Sequence, residues 1–273
     1  MEKINVIIND EKYDFDKGIT LLEIANKVYK EKFPAIVAFV DNELFSLDKK
    51  INKDCSVRFV NLLDPVGNRI YQKGLFFVLI YAFKELFGYN YYVKACHSID
   101  KAIKLRSDLY LNHERINMLK NKMREVIDSD MPIEKCLVSR KEAREYFLSI
   151  GDNSKADTFI YNTNHYVTLY KLGDLYDYFF SVMPVSTGIF KDFDLYLLDK
   201  GSFIMQFPTI IDDGKIPEYI NREKIIGAFD ENYKLSKKLG IFNSVDINRA
   251  VASGKISDII KLTETISSNN LLN

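Results

Sequence analysis

The sequence predicts an α+β fold built from small antiparallel sheets and helices, and three observations indicate this. Residues 3–8 alternate between polar and apolar side chains, as a strand with one buried face does. Thr20 and Glu23 have the spacing of a capping box directly before an apolar helical stripe. Short runs rich in Tyr, Phe and Leu, separated by turn residues, then recur as far as residue 207. We therefore expect more than one sheet.

The segment 1–62 has the element order of a β-grasp. Asn9-Asp10 supplies the turn of an N-terminal hairpin, and Pro34 prevents the following helix from continuing because proline lacks the backbone N–H. The predicted elements are strands at 3–8 and 13–15, a helix from residue 20, a strand at 36–40, a short strand at 44–45 and a strand at 56–60.

The remaining chain predicts a second α+β segment with an antiparallel sheet, followed by helices. A long, strongly apolar helix begins near Ile70 and ends at Gly88, so we expect it to be buried. The further predicted elements are strands at 91–95 and 102–105, helices at 113–127, 139–150 and 155–170, strands at 174–182 and 194–207, and helices from residue 222. This order predicts domains at 1–62 and 63–221 and a C-terminal helical segment at 222–273.

Composition excludes several classes of function. Lys plus Arg and Asp plus Glu both total 38, so the chain has no net field to hold a nucleic acid non-specifically. The longest apolar run, 74–83, is about half a membrane span, and the N-terminus has no signal-peptide pattern. We therefore expect a cytoplasmic protein without a membrane partner. The three Cys and three His residues have no zinc-site spacing, so no metal is expected.

The N-terminal motifs resemble a known domain. Gly18–Ala25, followed by Ala35–Leu44 and Leu47-Asp48, is similar to the TGS domain of threonyl-tRNA synthetases and related GTPases. The resemblance covers residues 1 to about 62. It implies a β-grasp that serves ligand sensing or RNA contact beside a catalytic domain.

The segment that follows resembles the second additional domain of the same synthetases, whose editing site carries H-x-x-x-H on a helix and C-x-x-x-H before a strand and loop. Here Lys73 and Phe77 stand at the helix positions, and Phe179 and Met183 stand at the other two. Without imidazole or thiolate, these positions offer neither a metal ligand nor a suitable general base. The resemblance therefore implies that editing hydrolysis is lost, and we expect no catalytic residue.

A further resemblance suggests a parent protein. Leu175–Phe180 with Pro184–Gly188, and later Phe203–Pro208, is similar to the N-terminal half of uridine-kinase-like proteins, although Ser181-Val182 departs from that pattern. In that group a P-loop kinase domain follows, which implies phosphorylation of a nucleoside with ATP and magnesium. The chain contains no G-x-x-x-x-G-K-[ST] motif. We expect a regulatory or substrate-sensing module whose partner is a C-terminal P-loop kinase domain.

Six residues are candidates for ligand binding. On the apolar helix, a lysine and a glutamine can neutralise and hydrogen-bond a phosphate; an aspartate can bind a sugar hydroxyl, and a loop of two hydroxyls and a glycine can receive a phosphate or ribose. These residues are Lys73, Gln72, Asp177, Ser186, Thr187 and Gly188. A snorkelling lysine, a structural aspartate and a simple turn are the alternatives.

Two other functions remain open. The first is binding of a tRNA acceptor end or a nucleotide, and the second is deacylation by a rebuilt site. The aromatic runs 89–92 and 176–180 can stack bases, but their period is more typical of one face of a packed sheet, so we expect them in the core.

Overall fold

The computed structural model describes residues 2–99, 101–220, 222–241 and 243–271. These residues form two compact units, the first in 2–137 and 168–220 and the second in 138–167 and 222–271. These units are defined by contacts in space, whereas the predicted domains are defined by sequence resemblance. The predicted borders at residues 62 and 221 therefore stay predictions. Within the described residues, no helix combines the length and apolar character that crossing a bilayer requires.

The first unit opens with the predicted β-grasp. Its elements are β1 (Lys3–Ile8), β2 (Glu11–Asp16), α1 (Leu21–Val28), β3 (Val37–Val40), β4 (Glu43–Ser46) and β5 (Cys55–Val60). The strands form one sheet in the order β2-β1-β5-β3-β4, in which β1 pairs parallel with β5 and the other pairs are antiparallel. The element order predicted for 1–62 is confirmed.

The start of α1 shows how the sequence fixes this fold locally. The Thr20 hydroxyl accepts a hydrogen bond from the Glu23 amide at 3.2 Å, and the Glu23 carboxylate accepts one from the Thr20 amide at 2.8 Å. This capping box satisfies two amides that lack partners within the helix. Leu21 and Ile24 on the helix are then buried against the sheet residues of the same core.

The rest of the chain supplies two antiparallel sheets and seven more α-helices in the described residues. The elements are α2 (Pro65–Phe87), β6 (Val93–Ile99), β7 (Ala102–Ser107), α3 (His113–Asp128), β8 (Ile133–Ser139), α4 (Arg140–Ser149), α5 (Asn153–Thr158), β9 (Tyr166–Leu172), β10 (Leu175–Asp177), a 3-10 turn (Thr187–Ile189), β11 (Asp194–Asp199), β12 (Ser202–Gln206), α6 (Glu223–Leu239), α7 (Ser244–Ala252) and α8 (Ile256–Leu271). The strand orders are β11-β12-β7-β6 and β10-β9-β8.

Helix α2 is the centre of the first unit. Its side chains are buried nearly all round, as the apolar sequence predicts. Val60 and Leu62, at the end of the β-grasp, belong to the same apolar core as Phe77 and Phe83 of α2. The β-grasp and the helix that follows it are therefore packed as one body.

Three element predictions are wrong in extent. Residues 155–170 were expected to form one helix, but α5 ends at Thr158 and β9 begins at Tyr166. The run from 166 onward is rich in aromatic and β-branched residues, which favours a strand, and every residue of it after Tyr166 is buried or half-buried. The strand expected at 174–182 ends at Asp177, and the run 194–207 is a hairpin of two strands.

The second unit is helical. Ser139 and Glu142 form a capping box at the start of α4, with the Ser139 amide donating to the Glu142 carboxylate at 2.8 Å. Between α5 and α7, Arg249 pairs with Asp157 at 2.8 Å. Asn243, which caps α7, also donates to the Ser154 hydroxyl at 3.0 Å. Polar contacts thus join α5 to α7 within this unit.

Candidate functional site

Two of the four positions that the resemblance aligns with editing-site residues lie in direct contact. The ring centroids of Phe77 and Phe179 are 5.1 Å apart at an interplanar angle of 59°. Phe77 is fully buried on α2, and Met183 is buried in the same core. Aromatic and thioether side chains fill this place, and none of them can activate a water molecule.

The backbone around Phe179 is held by specific contacts. β10 pairs antiparallel with β9, and Gly173 makes the turn between them at a φ of +56°. A Cβ at Gly173 would lie 2.7 Å from the Tyr81 ring, so this turn packs closely on α2. Ser181 follows β10, and its carbonyl accepts a hydrogen bond from the hydroxyl of Tyr170 on β9 at 2.9 Å. Burial raises the pKa of Tyr170, which keeps this donor protonated.

The segment 178–183, which we call the aromatic loop, also presents an exposed ring. Phe180 is 82% exposed, and its ring packs edge-on against Tyr178 with centroids 4.6 Å apart. This exposure leaves most of the Phe180 ring accessible to a ligand on a loop whose neighbouring residue Phe179 is anchored in the protein. The prediction that the aromatic runs 89–92 and 176–180 lie in the core is wrong for Phe180, because β10 ends at Asp177, and for Tyr89, Tyr91 and Tyr92, which are exposed.

Lys73 lies one helical turn before Phe77 on α2, and its side chain is exposed. Gln72 is half-buried, and its amide donates to the Asn68 carboxamide oxygen at 2.7 Å. Asn68 in turn donates to the carbonyl of Pro208 at 3.0 Å. Of the two candidates on α2, Lys73 is thus the one at the surface, and Gln72 is engaged within the protein.

The candidates after the aromatic loop are tied to the end of α3. The Thr187 hydroxyl is buried; it donates to the Val126 carbonyl at 2.8 Å and receives the Met131 amide at 2.9 Å. The Gly188 amide donates to the Asp130 carboxylate at 2.9 Å, and a Cβ at Gly188 would lie 2.4 Å from that oxygen. These contacts give Thr187 and Gly188 a structural role.

The two remaining candidates differ in exposure. Ser186 is half-buried and immediately precedes the 3-10 turn. Asp177 is 2% exposed, and its carboxylate accepts the Tyr178 amide at 2.7 Å. The structure brings Phe77 and Phe179 together, but a ligand role for Asp177, Ser186, Thr187 and Gly188 stays a prediction. In the described part of the chain, no three His, Cys, Asp or Glu side chains cluster in a way that could hold a metal.

Comparison with known proteins gives one consistent relationship. No family model matches the chain. Among curated proteins, threonine–tRNA ligase of Thermotoga maritima is 31% identical over 198 residues, which cover 71% of this chain and 30% of the ligase. The ligase of Thermotoga neapolitana is 29% identical over 204 residues, with the same coverage of 71% and 30%. That of Natranaerobius thermophilus is 27% identical over 249 residues, 84% of this chain and 38% of the ligase.

The chain is thus homologous to the N-terminal region of threonyl-tRNA synthetases, and it spans about a third of the length of these relatives. This confirms the predicted resemblance and the fold class, a TGS-type β-grasp followed by an editing-like α+β segment with antiparallel sheets. The comparisons give no support to a uridine-kinase parent. They favour the alternative expectation of a tRNA-binding module.

Proposed function

We propose that this chain is a tRNA-binding module that holds the single-stranded acceptor end without hydrolysing it. The observation that carries the proposal is the aromatic loop: Phe180 is 82% exposed beside Tyr178, on a segment anchored by the contact between Phe179 and Phe77. The homology to threonyl-tRNA synthetases gives the class of nucleic acid.

The chemistry of the loop suits an unpaired base. An aromatic ring stacks on any base, at about 1–3 kcal/mol per base, without reading its sequence. Lys73, one turn before Phe77, is an exposed cation on the helix that anchors the loop, and it can neutralise a backbone phosphate. Because positive and negative residues are equal in number, the affinity must come from such local contacts.

The deacylase alternative is less favoured. The resemblance aligns Phe77, Phe179 and Met183 with editing residues, and all three pack in or against the core, so a hydrolytic site would have to be rebuilt from other groups. The expectation of a kinase-regulating module depends on a P-loop partner domain, for which homology to tRNA ligases gives no argument. The exposed ring of the aromatic loop therefore favours tRNA binding over deacylation or regulation of a kinase.

Phe180→Ala is expected to weaken tRNA binding about 5- to 100-fold, since it removes one stacking surface. Fluorescence anisotropy with end-labelled tRNA measures this, at two salt concentrations.

Lys73→Gln should lower the affinity for tRNA and reduce the slope of log K against log salt by about 1, because one phosphate contact is lost.

The matched control is Ile211→Ala, which also removes an exposed apolar side chain, 84% exposed on the turn after β12. Its tRNA affinity should equal that of the unchanged chain. Equal losses in both variants, or no salt-sensitive binding at all, would contradict the proposal. Release of amino acid from mischarged tRNA that disappears with Lys73→Ala or Asp177→Ala would instead support the deacylase.

A further inference from the structure

A second concave site lies in the β-grasp and takes no part in the proposed tRNA contact. It is a cleft of about 370 Å³, within the size range of small-molecule sites. It lies where the turn after β1, the end of α1, the end of β5 and the start of α2 meet. Its lining includes Ile8, Tyr29, Glu31, Phe59, Asn61 and Asp64.

One wall of the cleft is aromatic and its position is fixed. The rings of Tyr29 and Phe59 are 5.4 Å apart at 59°. The Asn61 amide donates to the Tyr29 hydroxyl oxygen at 2.8 Å, while the Asn61 carboxamide oxygen accepts the Leu63 amide at 2.9 Å. Because the Tyr29 oxygen is the acceptor in this bond, its own proton is available to a ligand. The wall therefore offers the Tyr29 ring, the accessible part of the Phe59 ring and one hydroxyl donor.

The charge at the cleft is negative. Glu31 is exposed and has no ion-pair partner among the described side chains. Burial raises the pKa of Tyr29; the bond from Asn61 opposes this rise, and the negative charge of Glu31 adds to it. Glu31 and Tyr29 line the same cleft, so a ligand that contacts Tyr29 also lies near the Glu31 carboxylate.

An anion is poorly suited to this cleft, although a helix begins beside it. Helix N-termini bind anions through free backbone amides. Here Pro65 is the first helical residue and has no N–H, and the Val66 amide donates to the Asp64 carboxylate at 2.7 Å. Asp64 also pairs with Arg58 at 2.9 Å, so that cation is already neutralised. Only the Glu31 carboxylate remains uncompensated in the lining.

We propose that the cleft binds a small organic cation, a primary ammonium carried on an apolar or aromatic body. The ammonium pairs with Glu31 and lies against the faces of Tyr29 and Phe59, where the ring quadrupoles attract a cation. The apolar body packs against Ile8, Leu63 and Pro65, which also line the cleft. This ligand differs in charge from the phosphate backbone that the tRNA proposal requires.

Three probes of similar size and different charge test the proposal on the full chain: 2-phenylethylammonium, 2-phenylethanol and phenylacetate. Titration followed by NMR of the ring protons of Tyr29 and Phe59 gives each affinity and its location. We expect the ammonium compound to bind at least fivefold more tightly than the neutral alcohol, and phenylacetate to bind most weakly.

Glu31→Gln should remove the preference for the ammonium probe over the alcohol. Glu43→Gln, which changes an exposed carboxylate on β4 outside the cleft, should leave it intact. Equal affinity for the charged and neutral probes, tighter binding of phenylacetate, or no shift of either ring by any probe would overturn the proposal. Affinity for tRNA should be the same in Glu31→Gln as in the unchanged chain, so this site and the aromatic loop can fail separately.

Discussion

Phe77→Ala is expected to lower the free energy of unfolding of the first unit by about 3–5 kcal/mol, the usual cost of truncating a fully buried phenylalanine. Phe77 has no exposed surface, and its ring contacts Phe179. The variant loses the apolar surface of the ring and leaves a cavity beneath the aromatic loop. Hydrogen exchange of the α2 amides measures the effect, because it reports on the first unit separately from the second.

Phe180→Ala is the control for this prediction. It removes the same atoms from a residue that is 82% exposed, so the stability should change by no more than about 0.5 kcal/mol. The two variants therefore separate the anchor of the aromatic loop from its exposed ring: Phe77→Ala should weaken both stability and tRNA binding, and Phe180→Ala should weaken binding alone. Similar stability losses in the two would show that Phe77 does not anchor the loop.

Local sequence signals were sufficient for the β-grasp. The capping box at Thr20, the turn at Asn9-Asp10 and the alternation of residues 3–8 each act within a few residues, and the structure has them where predicted. The four positions compared with the editing site rest on two separate motif alignments, one in α2 and one after β10. The contact between Phe77 and Phe179 brings one position from each alignment together in space, and the correspondence of all four positions to editing residues stays a prediction.

The structural features that could not be predicted from the sequence depend on contacts between residues far apart in the chain. The exposure of Phe180 follows from where β10 ends, and the burial of Thr187 follows from hydrogen bonds to α3, which lies 61 residues earlier at Val126. Residues 155–170 contain both helical and strand signals, and pairing with neighbouring strands decided the second half. The cleft beside Tyr29 was not anticipated either, since its lining comes from four separate elements.

Gly67→Ala is expected to destabilise the first unit by about 2–3 kcal/mol, although alanine is the better helix former. A Cβ at Gly67 would lie 2.0 Å from the backbone oxygen of Asn61, which already accepts the Asp64 amide. A backbone oxygen cannot rotate away as a side chain can, so the first turn of α2 must shift. That turn carries the Asp64 cap and borders the cleft, so the variant should also bind the ammonium probe more weakly.

Gly227→Ala is the matched control, because it places the same methyl group in helix α6, where the described residues put no atom within 4 Å of the added Cβ beyond the adjacent residues and the helix's own backbone. There the change should slow local hydrogen exchange, as expected for a gain of up to about 1 kcal/mol in helix propensity. Opposite signs for one substitution in two helices would show that close approach of the backbone, and not helix propensity, requires glycine at 67. A stabilised Gly67→Ala would mean that α2 is not held against the end of the β-grasp as the structure indicates.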